Sequence, residues 1–262
     1  MAQDSSLLAT AHPNMSAIAE NLAIVLAKVE RASSFRASAH SSKEPVTDVV
    51  VEPVRLVAVS KLKPVEDLRE AYDAGQRFFG ENYVQELVEK VPCLPLDVQW
   101  HFIGHLQSNK VSQLIKGCPS LACLETIDSE KLARAVNKEW LKDDHDKKLR
   151  VMIQVNSSGE ESKNGVAEED VVPLARIISA ECEGLELAGL MTIGAPDYSG
   201  CRTEDFETLH SCRKAVSEAL NVDISALELS MGMSSDYETA IHQGSTSVRV
   251  GSSIFGARPP KS

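Results

Sequence analysis

Lys61 is the side chain whose type and place in the chain most clearly suggest chemistry. It directly follows the apolar run Leu56–Ser60, which predicts a buried strand that ends at the lysine. A lysine amine in a partly dry pocket loses its proton more easily and can then condense with a carbonyl compound. Many strand-end lysines only extend into solvent, and Lys63, just before Pro64, is a second candidate amine in what we interpret as a loop.

Two segments near the C-terminus have the composition of a phosphate site. Ser230–Ser234 and Arg249–Ser253 combine serines with glycines and lie at the seventh and eighth apolar runs of the chain. In a (β/α)8 barrel the loops after these strands commonly bind phosphate through hydroxyls and backbone N–H groups. Glycine and serine are also ordinary turn residues, but their presence after both strands favours an anion site.

A lysine and a phosphate site at one barrel mouth are consistent with two ligand classes. One is a phosphosugar in an aldolase, and the other is pyridoxal 5′-phosphate (PLP), whose aldehyde bonds the lysine and whose phosphate anchors the far end. Arg249 can distinguish them, since an arginine on a barrel strand can donate to a pyridine nitrogen. A salt bridge at the rim is an equal alternative. Asn82, after the second run, can contact a ring substituent.

The histidines and cysteines predict no metal site. His101 and His105 lie four residues apart in an extended segment, where they share a face but are too distant for easy chelation. We therefore expect structural or ligand-contact roles for both. The six cysteines contain no C-x-x-C pair, so zinc and thioredoxin-type functions are disfavoured.

A regular alternation of apolar runs and helical stretches must position these residues. Several runs are apolar at consecutive positions, as in parallel strands covered on both faces. The eight runs are Leu56–Ser60, Phe78–Gly80, Trp100–Gly104, Leu121–Ile127, Val151–Asn156, Leu187–Ile193, Leu227–Met231 and Ser247–Phe255. They predict a single α/β domain with a (β/α)8 TIM-type barrel, whose functional groups lie past the C-terminal strand ends. The alternative, an open doubly wound sheet, lacks its Gly-x-Gly-x-x-Gly fingerprint here.

The chain before the first strand predicts an additional helix. Residues 1–14 have the composition of a flexible tail, whereas apolar residues recur at helical spacing within Met15–Arg31. Residues 32–50 are rich in serine and predict a flexible loop. We therefore expect one domain over residues 15–262, in which an N-terminal helix is added to the barrel.

Composition excludes several classes of protein. The net charge of −11 and the pI of about 5.2 disfavour binding of nucleic acid or anionic lipid through the overall field. No apolar run reaches the roughly 18 residues of a membrane helix. No signal peptide is recognisable, and Asp4, Glu20 and Glu30 disfavour a mitochondrial transit peptide. We expect a cytoplasmic protein that binds neither nucleic acid nor membrane.

Six segments, in order, resemble a known family, the PLP homeostasis proteins. They are Ala58–Pro64, Phe79–Glu86, Trp100–Gly104 with Leu106–Lys110, Gly189–Met191, Leu229–Ser234, and Val248–Gly251 with Ile254–Arg258. The resemblance covers about residues 15–260, nearly the whole chain. It implies a barrel similar to the N-terminal domain of alanine racemase.

The resemblance also implies which residues bind the cofactor. It implies that Lys61 carries the PLP aldimine and that Arg249 faces the pyridine nitrogen. Asn82 is expected near the ring, and the residues expected at the phosphate are Ser230, Gly251 and Ser252. Two departures are mild: Leu62 and Ser252 stand where the family often has threonine. Ser252 keeps the hydroxyl, so the expectation of phosphate binding is retained.

The same residues favour a PLP carrier or regulator over an enzyme. In alanine racemase the base opposite the lysine is a tyrosine from the second domain of the partner subunit, whereas only Ala257–Ser262 follow the last run here. An arginine at the pyridine nitrogen weakens PLP as an electron sink. We expect a monomer with no catalytic residues, which exchanges PLP with apo PLP-dependent enzymes. The alternative is a racemase-like PLP enzyme.

Overall fold

Eight parallel strands form a closed barrel in the computed structural model, which describes residues 15–40, 53–159, 164–194 and 202–257. Each strand pairs with the next along the chain, and the last pairs with the first. The strands are β1 Arg55–Val59, β2 Phe78–Glu81, β3 Gln99–Phe102, β4 Leu121–Ile127, β5 Leu149–Gln154, β6 Leu185–Met191, β7 Glu228–Ser230 and β8 Ser247–Val250. The predicted (β/α)8 fold is confirmed.

Helix α1 precedes the first strand, and the other helices follow strands and pack their apolar faces against the barrel. They are α1 Ala17–His40, α2 Val65–Asp73, α3 Val84–Lys90, α4 Val111–Gly117, α5 Glu130–Trp140, α6 Glu168–Glu181, α7 Thr203–Leu220, α8 Tyr237–His242 and α9 Ser252–Phe255. In α5, Leu132 and Val136 are buried at i,i+4 spacing, and the Ser129 hydroxyl caps the helix by accepting from the Leu132 N–H. Within the described ranges, no helix has the length and apolar character needed to cross a bilayer.

Helix α1 is the predicted N-terminal helix, but it is longer than the sequence pattern indicates. The predicted flexible loop over 32–50 is wrong for residues 32–40, which continue the helix. Ala32 is buried, the Phe35 ring packs against His242, and the Arg36 guanidinium donates to the Ser245 carbonyl (2.7 Å). These tertiary contacts outweigh the weak helix propensity of the serines. Residues 41–50 and the predicted tail 1–14 lie outside the described residues.

The last apolar run also folds differently from its prediction as one strand, Ser247–Phe255. Strand β8 ends at Val250, and the next residues form α9. The N–H groups of Ile254 and Phe255 both donate to the Gly251 carbonyl (2.9 Å each), which turns the chain into a short helix at the barrel mouth. The other seven predicted runs overlap the observed strands.

The N-terminal end of the barrel is closed by an ion cluster. The Arg55 guanidinium donates to both carboxylate oxygens of Glu228 (2.5 and 3.0 Å), and Arg150 donates to one of them (2.6 Å). Burial opposes ionisation of Glu228, but the hydrogen bonds and charges of the two arginines outweigh it and lower its pKa. This end is therefore filled, and the opposite end carries the predicted functional residues.

Candidate functional site

Lys61 lies in a tight turn directly after β1. The Lys63 N–H donates to the Ser60 carbonyl (3.0 Å), which closes a four-residue turn with Lys61 and Leu62 at its centre. Leu62 has a φ of 60°, in the left-handed region. For a residue with a Cβ this conformation costs roughly 1–3 kcal/mol and persists only where the surroundings impose it. The Lys61 side chain is half-buried.

A group of three charged residues lies beneath this turn, of which Glu81 and Lys90 are buried and Glu86 is partly exposed. We call Glu81, Glu86 and Lys90 the Lys90 cluster. The Lys90 ammonium donates to Glu81 Oε1 (2.7 Å), Glu86 Oε1 (2.6 Å) and the Ser60 carbonyl (2.8 Å). Glu86 Oε1 also accepts from the Leu62 N–H (2.5 Å), and the Ser60 hydroxyl donates to Glu81 Oε1 (2.7 Å). The pKa of Glu81 is raised by burial, although the charge and hydrogen bond of Lys90 act against this.

Lys63, the second candidate amine, has a different position. Its ammonium donates to the Phe255 carbonyl (2.7 Å) and the Ala257 carbonyl (2.8 Å) at the C-terminal end of α9. A cation at the last carbonyls of a helix is a stabilising contact. Lys63 therefore ties α9 to the lysine turn, and the geometry favours Lys61 as the reactive amine.

The end of β8 approaches the end of β1 closely. A Cβ on Gly251 would lie 3.0 Å from the Val59 carbonyl oxygen, so glycine suits this contact. The Gly251 N–H donates to the Ser234 hydroxyl (3.2 Å). Ser252, with an exposed side chain, and Ser253 open α9, where N–H groups have no partner within a helix. Hydroxyls and N–H groups thus converge beside the lysine turn, as an anion site requires.

Ser230, predicted at the phosphate, makes its hydrogen bonds inside the barrel. Its side chain is fully buried at the end of β7. Its hydroxyl donates to Glu125 Oε2 (2.5 Å) and accepts from Arg249 Nη1 (2.6 Å). The structure therefore places Ser234, and not Ser230, beside Gly251. Side chains alternate between the faces of a strand, and that of Ser230 faces the barrel interior, whereas Ser234 belongs to the loop after β7.

Arg249 is the centre of a second buried group, the Arg249 network, which comprises His101, Glu125, Ser230 and Arg249. Arg249 Nη2 donates to the Thr192 carbonyl (2.7 Å), and Nη1 lies 3.8 Å from Glu125 Oε2. His101 Nδ1 lies 2.5 Å from Glu125 Oε1. Burial opposes ionisation of Glu125, but the hydrogen bond and charge of His101 and the charge of Arg249 lower its pKa. The ionic partner of Arg249 is thus inside the barrel and not at its rim.

The two predicted histidines separate, as their spacing suggests. His101 is buried, whereas His105 is partly exposed at the mouth with its Nδ1 3.1 Å from Asp128. The ligand atoms of His101, Cys123 and Glu125 lie within 4.8 Å of one another, a grouping that the sequence did not predict. Burial, followed by the charge of Glu125, raises the pKa of Cys123 well above its usual value. Both carboxylate oxygens of Glu125 are already engaged, one by His101 and the other by Ser230, so we assign this grouping to the interior hydrogen-bond network.

Asn82 lies half-buried just after β2, as predicted. A Cβ on Gly104 would lie 1.9 Å from the Asn82 carbonyl oxygen, so the two loops are in direct contact at this point. The side-chain oxygen Oδ1 of Asn82 is buried and has no hydrogen-bond partner within the described part of the chain. Buried polar atoms are normally paired, which makes this acceptor a candidate ligand contact.

Comparison with known proteins shows which family the chain belongs to. Residues 46–259 match the family model described as the alanine racemase N-terminal domain. A human pyridoxal phosphate homeostasis protein is 46% identical over 235 residues, which cover 87% of this chain and 85% of the human protein. A protein of the same name from Schizosaccharomyces pombe is 52% identical over 210 residues, covering 79% of this chain and 85% of the relative. This chain belongs to the pyridoxal phosphate homeostasis protein family.

A solved structure with a similar sequence has the same barrel fold. PipY of Synechococcus elongatus, in a structure with PLP bound, superimposes with a TM-score of 0.64 at 31% identity, covering 86% of this chain and 100% of PipY. The family predicted from the six sequence segments is therefore confirmed. All the predicted site residues, from Lys61 to Ser252, fall within the part of the chain that the family model matches.

Proposed function

We propose that this protein binds PLP through Lys61 and acts as a carrier or regulator in PLP homeostasis. The observation that carries the proposal is the lysine turn, held on both sides of Lys61 and in contact through Val59 with the loop of Gly251. The names of the relatives and the PLP-bound PipY structure support the same cofactor.

The residues at the mouth fit each end of this cofactor. When bound, PLP supplies an aldehyde with which a neutral lysine amine condenses, releasing one water. Lys61 is the amine for that end. We propose the Ser234 hydroxyl and the Ser252 N–H group for the phosphate, beside Gly251, whose own N–H donates to Ser234. Ser234 thus replaces Ser230 in the proposed set. The unpaired buried oxygen of Asn82 is available to a polar group of the ring.

Arg249 supports binding without catalytic turnover. Its guanidinium is held by Ser230 and the Thr192 carbonyl, with the charge of Glu125 nearby. A guanidinium donates and cannot accept a proton in proteins, so at the pyridine nitrogen it disfavours protonation of the ring. We therefore propose a carrier or regulator over the alternative, a racemase-like PLP enzyme. We further propose a cytoplasmic monomer, with one domain over residues 15–262, whose recipients are apo PLP-dependent enzymes.

Absorbance spectroscopy and lysine mapping test the proposal. Protein incubated with PLP should gain a visible absorbance band. Borohydride reduction should remove this band and leave a permanent modification that maps to Lys61. Modification at Lys63 instead would contradict the assignment, and absence of any band would favour the phosphosugar class. Amino-acid racemase, transaminase and decarboxylase assays should show no substantial turnover. A robust turnover number in any of them would overturn the carrier function.

A further inference from the structure

The Lys90 cluster contacts both peptide groups that flank Lys61. The Ser60 carbonyl belongs to the peptide group before Lys61, and it accepts from the Lys90 ammonium (2.8 Å). The Leu62 N–H belongs to the peptide group after Lys61, and it donates to Glu86 Oε1 (2.5 Å). Because Lys90 and Glu86 are themselves paired (2.6 Å), one ion pair links both peptide groups. Rotation about either backbone bond of Lys61 would break a charged hydrogen bond.

The Lys90 cluster lies in an environment where burial of charged groups costs free energy. Lys90 is 5% exposed and Glu81 is fully buried. The second carboxylate oxygen of Glu81 has no hydrogen-bond partner among the described residues. A buried ion pair generally adds little net stability compared with an apolar set of the same volume. Its presence here is better explained by a geometric task than by stability.

The turn Ser60–Lys63, which contains Lys61, has a conformation that needs to be held in place. Leu62 adopts a positive φ that glycine or asparagine usually occupies in turns. A turn of this kind relaxes unless several contacts impose it. The Glu86 carboxylate holds the strained residue itself, and the hydroxyl and carbonyl of Ser60 are held by Glu81 and Lys90.

We propose that the Lys90 cluster is a positioning device for Lys61, which fixes the backbone of this residue so that its amine is presented at the barrel mouth. This inference rests on the proposed function, since it assigns to Lys61 the covalent attachment of PLP. Lys90 and Glu86 are positioning residues because they act through the Lys61 backbone, and neither is proposed to touch the cofactor.

Stopped-flow absorbance of Lys90→Met and Glu86→Leu tests the device. Both variants remove the charged link while retaining side-chain bulk. Covalent attachment of PLP should slow about ten- to hundredfold, since misplacement of a reacting group by about 1 Å has effects of that size. Affinity for pyridoxine 5′-phosphate, which has no aldehyde, should stay at the wild-type value. Glu86→Gln keeps an acceptor for the Leu62 N–H and should recover much of the rate.

Glu89→Leu is the matched control. Glu89 lies on the same helix, α3, but its side chain is exposed and accepts only from Gln85 (2.6 Å) among the contacts described. This variant should attach PLP at the wild-type rate. If Lys90→Met and Glu86→Leu also attach PLP at that rate, the positioning role is overturned. An equal loss of affinity for PLP and for pyridoxine 5′-phosphate would overturn it too, because it would indicate general damage to the site.

Amide hydrogen exchange provides a readout that needs no cofactor. In Lys90→Met and Glu86→Leu the amides of Leu62 and Lys63 should exchange faster than in the wild type, while those of β5 and β6 stay unchanged. An unchanged exchange rate of the Leu62 amide would contradict the positioning role of the Lys90 cluster. Failure of the wild-type protein to attach PLP would defeat the proposed function instead, and the exchange experiment would still decide whether the cluster holds the turn.

Discussion

Two charged groups, one at the barrel mouth and one in the barrel interior, differ in what they hold. The Lys90 cluster, on the side of β1 and β2, ends on backbone atoms of Ser60 and Leu62. The Arg249 network, which crosses the interior from β3 to β8, consists mainly of side-chain contacts and holds the Arg249 guanidinium. The first group therefore controls the path of the chain at Lys61. The second controls the orientation and the compensating charge of a side chain.

The cluster at the N-terminal end of the barrel provides a reference for both. Arg55, Arg150 and Glu228 pair only through side chains, far along the strands from the mouth residues. No predicted functional residue contacts this cluster among the described residues. Buried charge in the barrel is thus not in itself evidence of a ligand site. The contacts that each charged group makes indicate whether it belongs to one.

The largest expected effect separates the two lysines of the turn. Lys61→Ala should abolish the visible absorbance of the PLP-loaded protein, because it removes the amine while the Lys90 cluster continues to hold the backbone. Lys63→Ala should retain the band, since the Lys63 ammonium only binds the carbonyls at the end of α9. Spectra recorded before and after borohydride reduction measure both. Full absorbance in Lys61→Ala would disprove the assignment.

The next largest expected effect is a loss of stability on removal of the Arg249 side chain. Arg249→Met leaves the buried Glu125 carboxylate with His101 but without the charge of Arg249, and loss of one partner of a buried pair typically costs about 3–5 kcal/mol. Urea denaturation measures the change in the free energy of unfolding. Lys90→Met breaks an ion pair that also holds backbone atoms, so the two variants compare the groups directly. A loss below about 1 kcal/mol in Arg249→Met would contradict this role of Arg249, since it would mean that His101 alone compensates Glu125.

Much of the fold follows from local sequence patterns, and the exceptions show where it does not. The eight apolar runs predicted the barrel because strand and helix periodicities are local properties. The extension of α1 through residues 32–40 depends on contacts of Phe35 and Arg36 with residues more than 200 positions away in the sequence. Local propensity cannot report such contacts. The short helix α9 was missed because its four residues carry no periodic signal.

The site shows the same division. The place of Lys61 at the end of β1 was predictable, because the apolar runs locate the strand ends. The burial of Ser230 and the contact of Ser234 with Gly251 were not, since they depend on how the loop after β7 folds. Lys90 was also missed. Its i,i+4 spacing from Glu86 is visible in the sequence, but its partner Ser60 lies 30 residues earlier and meets it only in the folded chain.

Exchange of the two serines for alanine should produce opposite effects. Ser230→Ala removes the bridge between Glu125 and Arg249 and should lower the free energy of unfolding by about 1–3 kcal/mol. Affinity for pyridoxine 5′-phosphate should change little. Ser234→Ala should instead weaken that affinity about five- to tenfold, or roughly 1 kcal/mol, with little effect on stability. Denaturation and calorimetric titration measure the pair, and the reverse pattern would return Ser230 to the phosphate.

The smallest expected effect compares the carboxylates of the two groups through pH. The pKa of Glu125 is held below its usual 4.5, so its stabilising contribution is present above pH 4.5 and is lost as the pH falls through the lowered value. The pKa of Glu81 is raised by burial, so its contribution is complete below pH 4.5 and is lost as the pH rises through the raised value. Denaturation at a series of pH values should therefore show wild type losing stability relative to Glu125→Gln as the pH falls below 4.5, and relative to Glu81→Gln as the pH rises above 4.5. Parallel pH profiles for the two variants would contradict the distinction, because they would mean that both carboxylates are compensated to the same degree.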